Sequence, residues 1–122
     1  MKILITGASG FIGTNLLEDL NAKGYTVLNL DFNEPKILKR RNVWKNVDIT
    51  EYESFKKVVL DFKPDYIVHL AARTDLDGKT LKDYDANVSG VENLMNIVNE
   101  CKSLKKVIVA SSKFVTRNGY VI

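Results

Sequence analysis

The sequence has few of the features that mark secreted or membrane-bound proteins. It contains one cysteine, Cys101, so no disulfide can form within the chain, and we predict a reducing, cytoplasmic location. No apolar run approaches the roughly 20 residues that span a bilayer. The first apolar run, residues 3–5, ends at Thr6 and Gly7, so we predict neither a signal peptide nor a membrane partner.

An excess of charge of one sign is also lacking. The 18 basic and 15 acidic side chains leave a formal net charge of +3, which is too small and too scattered to predict binding of nucleic acid. Hydrophobic residues make up 45% of the 122 residues and charged residues 27%, as is usual for a globular protein. We therefore expect one domain over residues 1–122, and we predict no metal site.

Short apolar runs alternate with longer segments of helical period, which predicts β-α-β units. The fourth and fifth strands are nearly continuous apolar runs, as is typical of a parallel sheet covered on both faces. We predict a doubly wound, Rossmann-like α/β fold with the strand order 3-2-1-4-5. The predicted strands are residues 2–6, 25–30, 41–47, 65–70 and 106–110, and the predicted helices are residues 11–23, 51–62 and 79–103.

Residues with capping chemistry predict where these helices begin and end. Thr50, with Glu53 three residues later, predicts the N-terminus of the second helix, and Pro64 predicts its end. Gly24 predicts the C-terminus of the first helix. The first helix is therefore expected to begin directly after a glycine-rich loop.

That loop contains Gly7, Gly10 and Gly13 in the arrangement G-x-x-G-x-x-G. Such glycines allow a tight turn, a close approach of the backbone to a pyrophosphate, and close packing of helix on strand. The free N–H groups at the positive end of the helix would then bind the diphosphate. The alternative is that the glycines only shape a turn. Their position between a strand and a helix favours a dinucleotide site.

An acidic residue, Asp31, follows the second strand at the distance from the glycine loop where a dinucleotide fold has its ribose-binding acid. A 2′-phosphate there would meet like charge, at a cost of about 4 kcal/mol for charges roughly 4 Å apart at an effective dielectric constant of about 20. We therefore predict NAD rather than NADP. The basic run at residues 36–41 leaves the NADP alternative open, because its side chains could bind a phosphate instead of being merely solvated.

The first 13 residues, M-K-I-L-I-T-G-A-S-G-F-I-G, closely resemble the start of the extended short-chain dehydrogenase/reductases. The resemblance is to the NAD-dependent epimerase/dehydratase family acting on nucleotide sugars, and it covers essentially the whole chain. It implies transient hydride transfer from a nucleotide sugar to NAD. Further motifs carry it in order: Asp48-Ile49, His69-Leu70-Ala71-Ala72, Asn87-Val88-x-Gly90 and Val109-Ala110-Ser111-Ser112.

The resemblance implies contacts with the adenosine diphosphate half of the cofactor. Phe11 and Ile12 would present their backbone N–H groups to the pyrophosphate. Asp48 would accept a hydrogen bond from the adenine amino group, and Ile49 would pack beside the ring. Alternatively, Asp48 only caps the helix that follows it.

The resemblance also implies contacts on the nicotinamide side. Leu70, Ala71 and Ala72 would line the pocket, and Asn87 would face the nicotinamide ribose. Ser112 would be the catalytic serine that hydrogen-bonds the substrate oxygen. Alternatively, the two alanines are ordinary packing residues and Asn87 satisfies backbone groups of a loop.

Two residues that could be reactive by type are interpreted as structural. His69 alternates within an apolar strand, so we predict a core residue with its polar atoms satisfied. Cys101 lies on a predicted helix, and we predict a packing role.

The family's chemistry requires a Tyr-x-x-x-Lys pair beyond the serine, and none follows Ser112 in this sequence. Tyr52 and Lys56 have the spacing, but Tyr52 follows the third strand. In the predicted sheet that strand lies four spacings, or about 19 Å, from the fifth, whereas a general acid must lie within about 3 Å of its acceptor. We therefore expect the N-terminal, cofactor-binding part of a longer enzyme, inactive alone and ending before a sixth strand and a substrate domain.

Two other functions stay open: an NADP-linked reductase of the same superfamily, and a non-catalytic dinucleotide-sensing module. A pure sensor has no need of Ser112, which favours the enzyme. Without a sixth strand, the fifth would be an apolar sheet edge, so we also predict self-association of the chain through it.

Overall fold

The computed structural model describes residues 1–75 and 77–112. Short 3-10 turns at Leu38–Val43 and Leu81–Tyr84 precede the third strand and the third α-helix. Within residues 1–75 and 77–112, no helix is long and apolar enough to cross a membrane. The elements in chain order are β1 (Lys2–Thr6), α1 (Phe11–Ala22), β2 (Thr26–Asp31), β3 (Trp44–Asn46), α2 (Tyr52–Phe62), β4 (Tyr66–His69), α3 (Asp85–Val98) and β5 (Lys106–Val109).

The strands form one parallel sheet in the order β3-β2-β1-β4-β5, which confirms the predicted topology. Thr6 at the end of β1 is in register with Leu30 of β2 and with His69 of β4. His69 is in turn in register with Val109 of β5. Because all strands run the same way, their carboxyl ends meet along one edge, where ligands bind in open α/β sheets.

Alternation along the strands divides the core into two layers. On one face, Leu4 and Ile67 pack with Phe55 of α2 and Leu94 of α3. On the other face, the buried strand residues cluster with Leu17 of α1. Both faces of the sheet are therefore covered at β1 and β4, as the apolar run of the fourth strand predicts. The same prediction for the fifth strand is wrong, because Ile108 and Val109 of β5 are exposed.

Two predicted elements are shorter in the structure. The pattern at residues 41–47 forms a strand only over Trp44–Asn46, after the 3-10 turn. The pattern at residues 79–103 forms an α-helix only over Asp85–Val98. The helix begins later than predicted because a capping box precedes it. In this box the Thr80 and Asp83 side chains accept each other's backbone N–H groups, and the 3-10 turn at Leu81–Tyr84 begins there.

The predicted N-cap of α2 is wrong. The helix begins after Glu51 and has no side-chain cap. Instead, the Thr50 hydroxyl donates to Oδ1 of Asp48 at 2.8 Å, and the Thr50 N–H donates to the same atom at 2.9 Å. The physical reason is the local geometry: residues 48–51 form a turn in which the Glu51 N–H donates to the Asp48 carbonyl at 3.0 Å, so Thr50 lies one residue before the N-cap and its hydroxyl closes the turn. The predicted end of α1 is confirmed, since Gly24 follows it with φ +85°.

Candidate functional site

The glycine loop joins β1 to the N-terminus of α1 as a tight turn. Gly7 has φ +75°, which other residues adopt only with strain, and its N–H donates to the Leu30 carbonyl at 2.9 Å. Gly10 is the N-cap residue of α1 and has no side chain to cap the helix. The loop therefore fixes the helix N-terminus against the ends of β1 and β2.

Two of the three glycines are required by packing within the chain. A Cβ atom at Gly7 would lie 2.7 Å from the Ala71 nitrogen, and one at Gly13 would lie 2.4 Å from the Ala8 Cα. Both neighbours are backbone atoms, which cannot rotate away. Among residues 1–75 and 77–112, a Cβ at Gly10 would meet only the Gly7 carbonyl oxygen, at 3.4 Å, so packing against these residues does not explain this glycine.

The first turn of α1 offers free donors and no negative charge. The first N–H of the helix that donates to a carbonyl four residues earlier is that of Thr14, which donates to the Gly10 carbonyl at 2.9 Å. The N–H groups of Phe11, Ile12 and Gly13 come before this first helical hydrogen bond. No acidic residue lies in this turn. The Phe11 and Ile12 side chains are 79% and 65% exposed. The positive end of the helix is thus left for an anion.

Asp31, which is buried at the end of β2, directs its carboxylate to the glycine loop. Its Oδ2 accepts the Ser9 N–H at 3.0 Å, and its Oδ1 accepts the Asn33 N–H at 2.9 Å. Each carboxylate oxygen can accept a further hydrogen bond. The indole N–H of Trp44 donates to the Asp31 main-chain carbonyl at 2.8 Å. The predicted ribose acid therefore lies beside the loop that leads to α1.

Two further polar residues hold this arrangement, and the sequence reasoning missed both. The Asn29 Oδ1 accepts the Ala8 N–H at 3.2 Å, and the Asn29 amide donates to the Ser9 hydroxyl at 3.0 Å. That hydroxyl donates to the Asn33 carbonyl at 2.8 Å. The available signal was an asparagine inside an otherwise apolar strand, because a buried amide needs nearby partners.

A second polar cluster joins the ends of β1 and β4. The Thr6 hydroxyl oxygen accepts the N–H groups of Leu70 at 3.1 Å and Ala71 at 3.2 Å. Its own proton is therefore available to Nδ1 of His69, 2.7 Å away. This leaves the proton of the neutral imidazole on Nε2. Thr6 thus holds the chain segment that was predicted to line the nicotinamide pocket.

His69 is a core residue, as predicted, but its polar atoms are only half satisfied. Within residues 1–75 and 77–112, Nε2 has no hydrogen-bond partner, which corrects that part of the prediction. The sequence pattern predicts that His69 is buried, but it cannot predict whether a hydrogen-bond partner on a neighbouring element reaches the ring. Burial lowers the pKa of His69 from 6.5 to about 4, so the ring is neutral at physiological pH.

Asn87 anchors the segment that follows β4. Its Oδ1 accepts the Arg73 N–H at 2.7 Å, and its amide donates to the Arg73 carbonyl at 3.0 Å. The Arg73 guanidinium in turn binds both carboxylate oxygens of Asp75, at 2.8 and 2.9 Å. Asn87 therefore satisfies backbone groups of a loop, as its alternative interpretation states. Its contact with a ribose stays a prediction. Next to Gly7, Ala71 is half-buried, whereas Ala72 is exposed.

Asp48 and Ile49 lie just before α2. Asp48 is exposed and closes a turn with Thr50. Since α2 has no side-chain cap, the alternative that Asp48 caps this helix is wrong. Ile49 is buried, and a Cβ at Gly90 of α3 would lie 2.3 Å from its Cδ1 atom. The glycine of the Asn-Val-x-Gly motif thus makes room for Ile49. The adenine contacts of both residues stay predictions.

Ser112 is exposed beyond the end of β5, and residues 113–122 lie outside the described part. Lys56, the lysine of the misplaced Tyr-x-x-x-Lys pair, is 3.0 Å from a Glu100 carboxylate oxygen. The observed sheet order puts β3 and β5 at opposite edges, which is the premise on which Tyr52 was excluded as a partner of Ser112.

Comparison with known proteins decides the family. Residues 3–117 match the NAD dependent epimerase/dehydratase family. The chain belongs to this family. It is 34% identical over 114 residues to a GDP-6-deoxy-D-talose 4-dehydrogenase from Aggregatibacter actinomycetemcomitans. That match covers 92% of this chain and 35% of the relative. It is 30% identical over 118 residues to a UDP-glucose 4-epimerase from Lactobacillus helveticus, covering 92% and 36%.

Solved structures of this family superpose on the fold. The UDP-glucose 4-epimerase of Thermotoga maritima, solved with UDP-glucose, matches with a TM-score of 0.81 at 26% identity over 92% of this chain and 38% of that one. The UDP-glucose 4-epimerase of Thermus thermophilus, in complex with NAD, matches with a TM-score of 0.76 at 27% identity. That match covers 88% of this chain and 36% of the other one. This family member therefore spans less than two-fifths of the length of these relatives.

In this family member, most predicted site residues meet at the carboxyl edge of the sheet. The glycine loop and Asp31 form one hydrogen-bonded unit, and Leu70 and Ala71 are tied to the end of β1. Asn87 belongs to the same edge through the segment after β4. Asp48 and Ile49 form a separate turn, which α3 holds because the Asn93 amide donates to the Ile49 carbonyl at 2.9 Å.

Proposed function

We propose that this chain is the NAD-binding portion of a nucleotide-sugar epimerase or dehydratase. The observation that carries the proposal is the 3.0 Å hydrogen bond from the Ser9 N–H to the Asp31 carboxylate. It brings the Asp31 carboxylate directly beside the loop at the positive end of α1, which supports a role for Asp31 in binding a ribose. One ligand with a diphosphate and an adjoining ribose satisfies both groups.

The residues present fit that ligand. Gly10 is the one loop glycine that packing within the chain does not explain, and a close approach by a pyrophosphate supplies the missing reason. The N–H groups of Phe11 and Ile12 would bind its oxygens. Asp31 keeps free acceptor capacity for the ribose hydroxyls and opposes a 2′-phosphate by its charge. These features support NAD as the cofactor.

The relatives supply the class of reaction. Their names describe epimerases and a dehydrogenase of nucleotide-linked sugars, and the Thermus thermophilus epimerase was solved with NAD. When bound, NAD supplies a hydride acceptor for a sugar carbon. The substrate in this proposal is therefore a nucleotide sugar, acted on in the cytoplasm.

Residues of this chain would orient the reacting groups. Thr6 holds Leu70 and Ala71, so that the backbone after β4 can line the nicotinamide side together with Ala72. Asn87 keeps the next segment in place and would face the nicotinamide ribose. Ser112 would hydrogen-bond the substrate oxygen. Because no Tyr-x-x-x-Lys follows Ser112 in the sequence, we expect these 122 residues to bind NAD without turnover.

Titration with NAD tests the proposal, since Trp44 is the single tryptophan and touches the ribose acid. We expect a saturable change in tryptophan fluorescence. Asp31→Asn keeps the side-chain shape but removes the charge, so NAD should bind about tenfold more weakly. Asp19→Asn, an exposed site on α1 paired with Lys23, is the control and should change nothing. No saturable signal with NAD, or equal affinity in Asp31→Asn, would contradict the proposal.

The proposal includes self-association of this chain through β5. Among the described residues β5 pairs only with β4, and Ile108 and Val109 are 55% and 40% exposed. A parallel edge with exposed apolar side chains and open backbone groups is a template for a second copy.

A further inference from the structure

The basic run between β2 and β3 contains two arginines that carboxylates already hold. The Arg40 Nε donates to Glu18 Oε2 at 2.6 Å, which joins the 3-10 turn at Leu38–Val43 to α1. The two side chains are only 22% and 29% exposed. Arg41 forms an ion pair with Glu34. Both arginines of the basic run are therefore engaged by this chain's own acids.

Arg40 lies close to the ribose acid through a short path of contacts. It lines a small crevice together with Lys36, Ala8 and Asn29. Asn29 donates to the Ser9 hydroxyl at 3.0 Å, and the Ser9 N–H donates to Asp31 at 3.0 Å. Arg40 thus lines the same crevice as Ala8 and Asn29, two members of the hydrogen-bonded unit that contains Asp31.

The charge of Asp31 is not the whole barrier to such a phosphate. Its two carboxylate oxygens already accept the N–H groups of Ser9 and Asn33, which disperse its charge. An unrestrained arginine nearby could offset the remaining repulsion, because guanidinium and phosphate form bidentate, charge-assisted hydrogen bonds. Whether Arg40 is available to a phosphate therefore decides how strongly NADP is rejected.

We propose that Glu18 is a specificity-determining residue for the cofactor: by binding Arg40 it withholds that guanidinium from a 2′-phosphate and so reinforces the preference of Asp31 for NAD. The inference rests on the proposed function and deepens it. Glu18 lies in the middle of α1, outside the glycine loop and every motif that carries the family resemblance. It acts through Arg40 and touches no part of the cofactor itself.

The experiment measures the affinities for NAD and NADP separately, by Trp44 fluorescence and by calorimetry. We expect Glu18→Gln to bind NADP about tenfold more tightly than the wild type, the gain from one charge-assisted contact, and to bind NAD as before. Asp19→Asn removes the same charge from the next residue of α1, where its partner is Lys23. This control should leave both affinities unchanged.

Two further variants separate the role of Arg40 from a general effect of charge. In Glu18→Gln with Arg40→Gln, the gain in NADP affinity should disappear. Arg40→Gln alone should leave NADP affinity unchanged, because Glu18 already holds the side chain. Circular dichroism checks that each variant folds. If Glu18→Gln does not fold, the single Arg40→Gln variant decides, since weaker NADP binding there would show that Arg40 is available to the phosphate.

Each outcome has a distinct meaning. Wild-type NADP affinity in Glu18→Gln, an equal gain in Asp19→Asn, or a gain that survives Arg40→Gln would each overturn the inference while wild-type NAD binding upholds the proposed function. Failure of the wild type to bind NAD at all would overturn both. Tighter NADP binding only in Glu18→Gln, lost again without Arg40, would establish the role.

Discussion

The two halves of the crevice are built differently. On the β1–α1–β2 side, the glycine loop, Asn29 and Asp31 form a closed hydrogen-bonded unit around buried backbone. On the β4–α3–β5 side, a long segment is held by Asn87, while Ile108 and Val109 of β5 are exposed. The comparison teaches that the half of the crevice proposed to bind the adenosine diphosphate is self-contained, whereas the half nearer Ser112 ends at the exposed apolar side chains of β5.

The largest expected effect breaks the self-contained half. Gly13→Ala would place a Cβ 2.4 Å from the Ala8 Cα and 2.6 Å from the Gly7 carbonyl oxygen. Because both are backbone atoms, we expect a loss of more than about 3 kcal/mol in the free energy of unfolding. Urea denaturation followed by tryptophan fluorescence measures it.

The matched control is Gly10→Ala, whose Cβ would meet only the Gly7 carbonyl oxygen at 3.4 Å. It should change stability by less than about 1 kcal/mol but weaken NAD binding. Equal losses of stability in the two variants would show that helix-to-strand packing does not distinguish these positions.

The next largest effect concerns His69, which joins the two halves through its contact with Thr6. It is a dependence of the free energy of unfolding on pH. His69 has its pKa lowered to about 4 by burial, whereas the unfolded chain takes up that proton near pH 6.5. Between these values the unfolded state binds more protons, so stability is full above pH 6.5 and falls as the pH decreases towards 4. The loss reaches about 3 kcal/mol.

Urea denaturation at several pH values measures this slope, and His69→Asn should remove it. The carboxylates with lowered pKa, Asp65, Asp75 and Asp83, titrate below the ordinary value of 3.8. They contribute stability above that pH and lose it only at more acidic values. An unchanged slope between pH 6.5 and 4 in His69→Asn would assign the effect to other groups.

The smallest effect sharpens the comparison at the open edge. We expect the chain to self-associate in light scattering at high concentration, and Ile108→Lys to shift it towards monomer, because a charge on an edge strand opposes pairing. Met95→Lys alters another exposed apolar residue, on α3, and should leave self-association intact. A monomeric wild type would refute the proposal, and loss of association only in Met95→Lys would move the interface to α3.

The same comparison explains how far the sequence could predict the structure. The glycine loop and the acid at the end of β2 follow from local chemistry, since glycines and a terminal acid act where they stand in the chain. The strand order follows from the usual topology of β-α-β units. The Thr50 cap failed because Thr50 closes a turn with Asp48 and lies one residue before the N-cap of α2.

Contacts between distant residues could not be predicted. Asn29 and Ala8 meet only once β2 has paired with β1, and Asn87 finds Arg73 across a long loop. No periodicity in the sequence encodes either pair. The open nitrogen of His69 is of the same kind, because it depends on which atoms of neighbouring elements come within reach.

The approach of Gly7 to Ala71 has a practical consequence for protein engineering. Since main-chain atoms of the two loops set the spacing, exchanging side chains around the crevice does not alter its width. Libraries aimed at synthetic cofactor analogues can therefore diversify positions such as Phe32, which is exposed, without rebuilding the scaffold. Residues 7 and 13 are positions that such libraries have to leave unchanged.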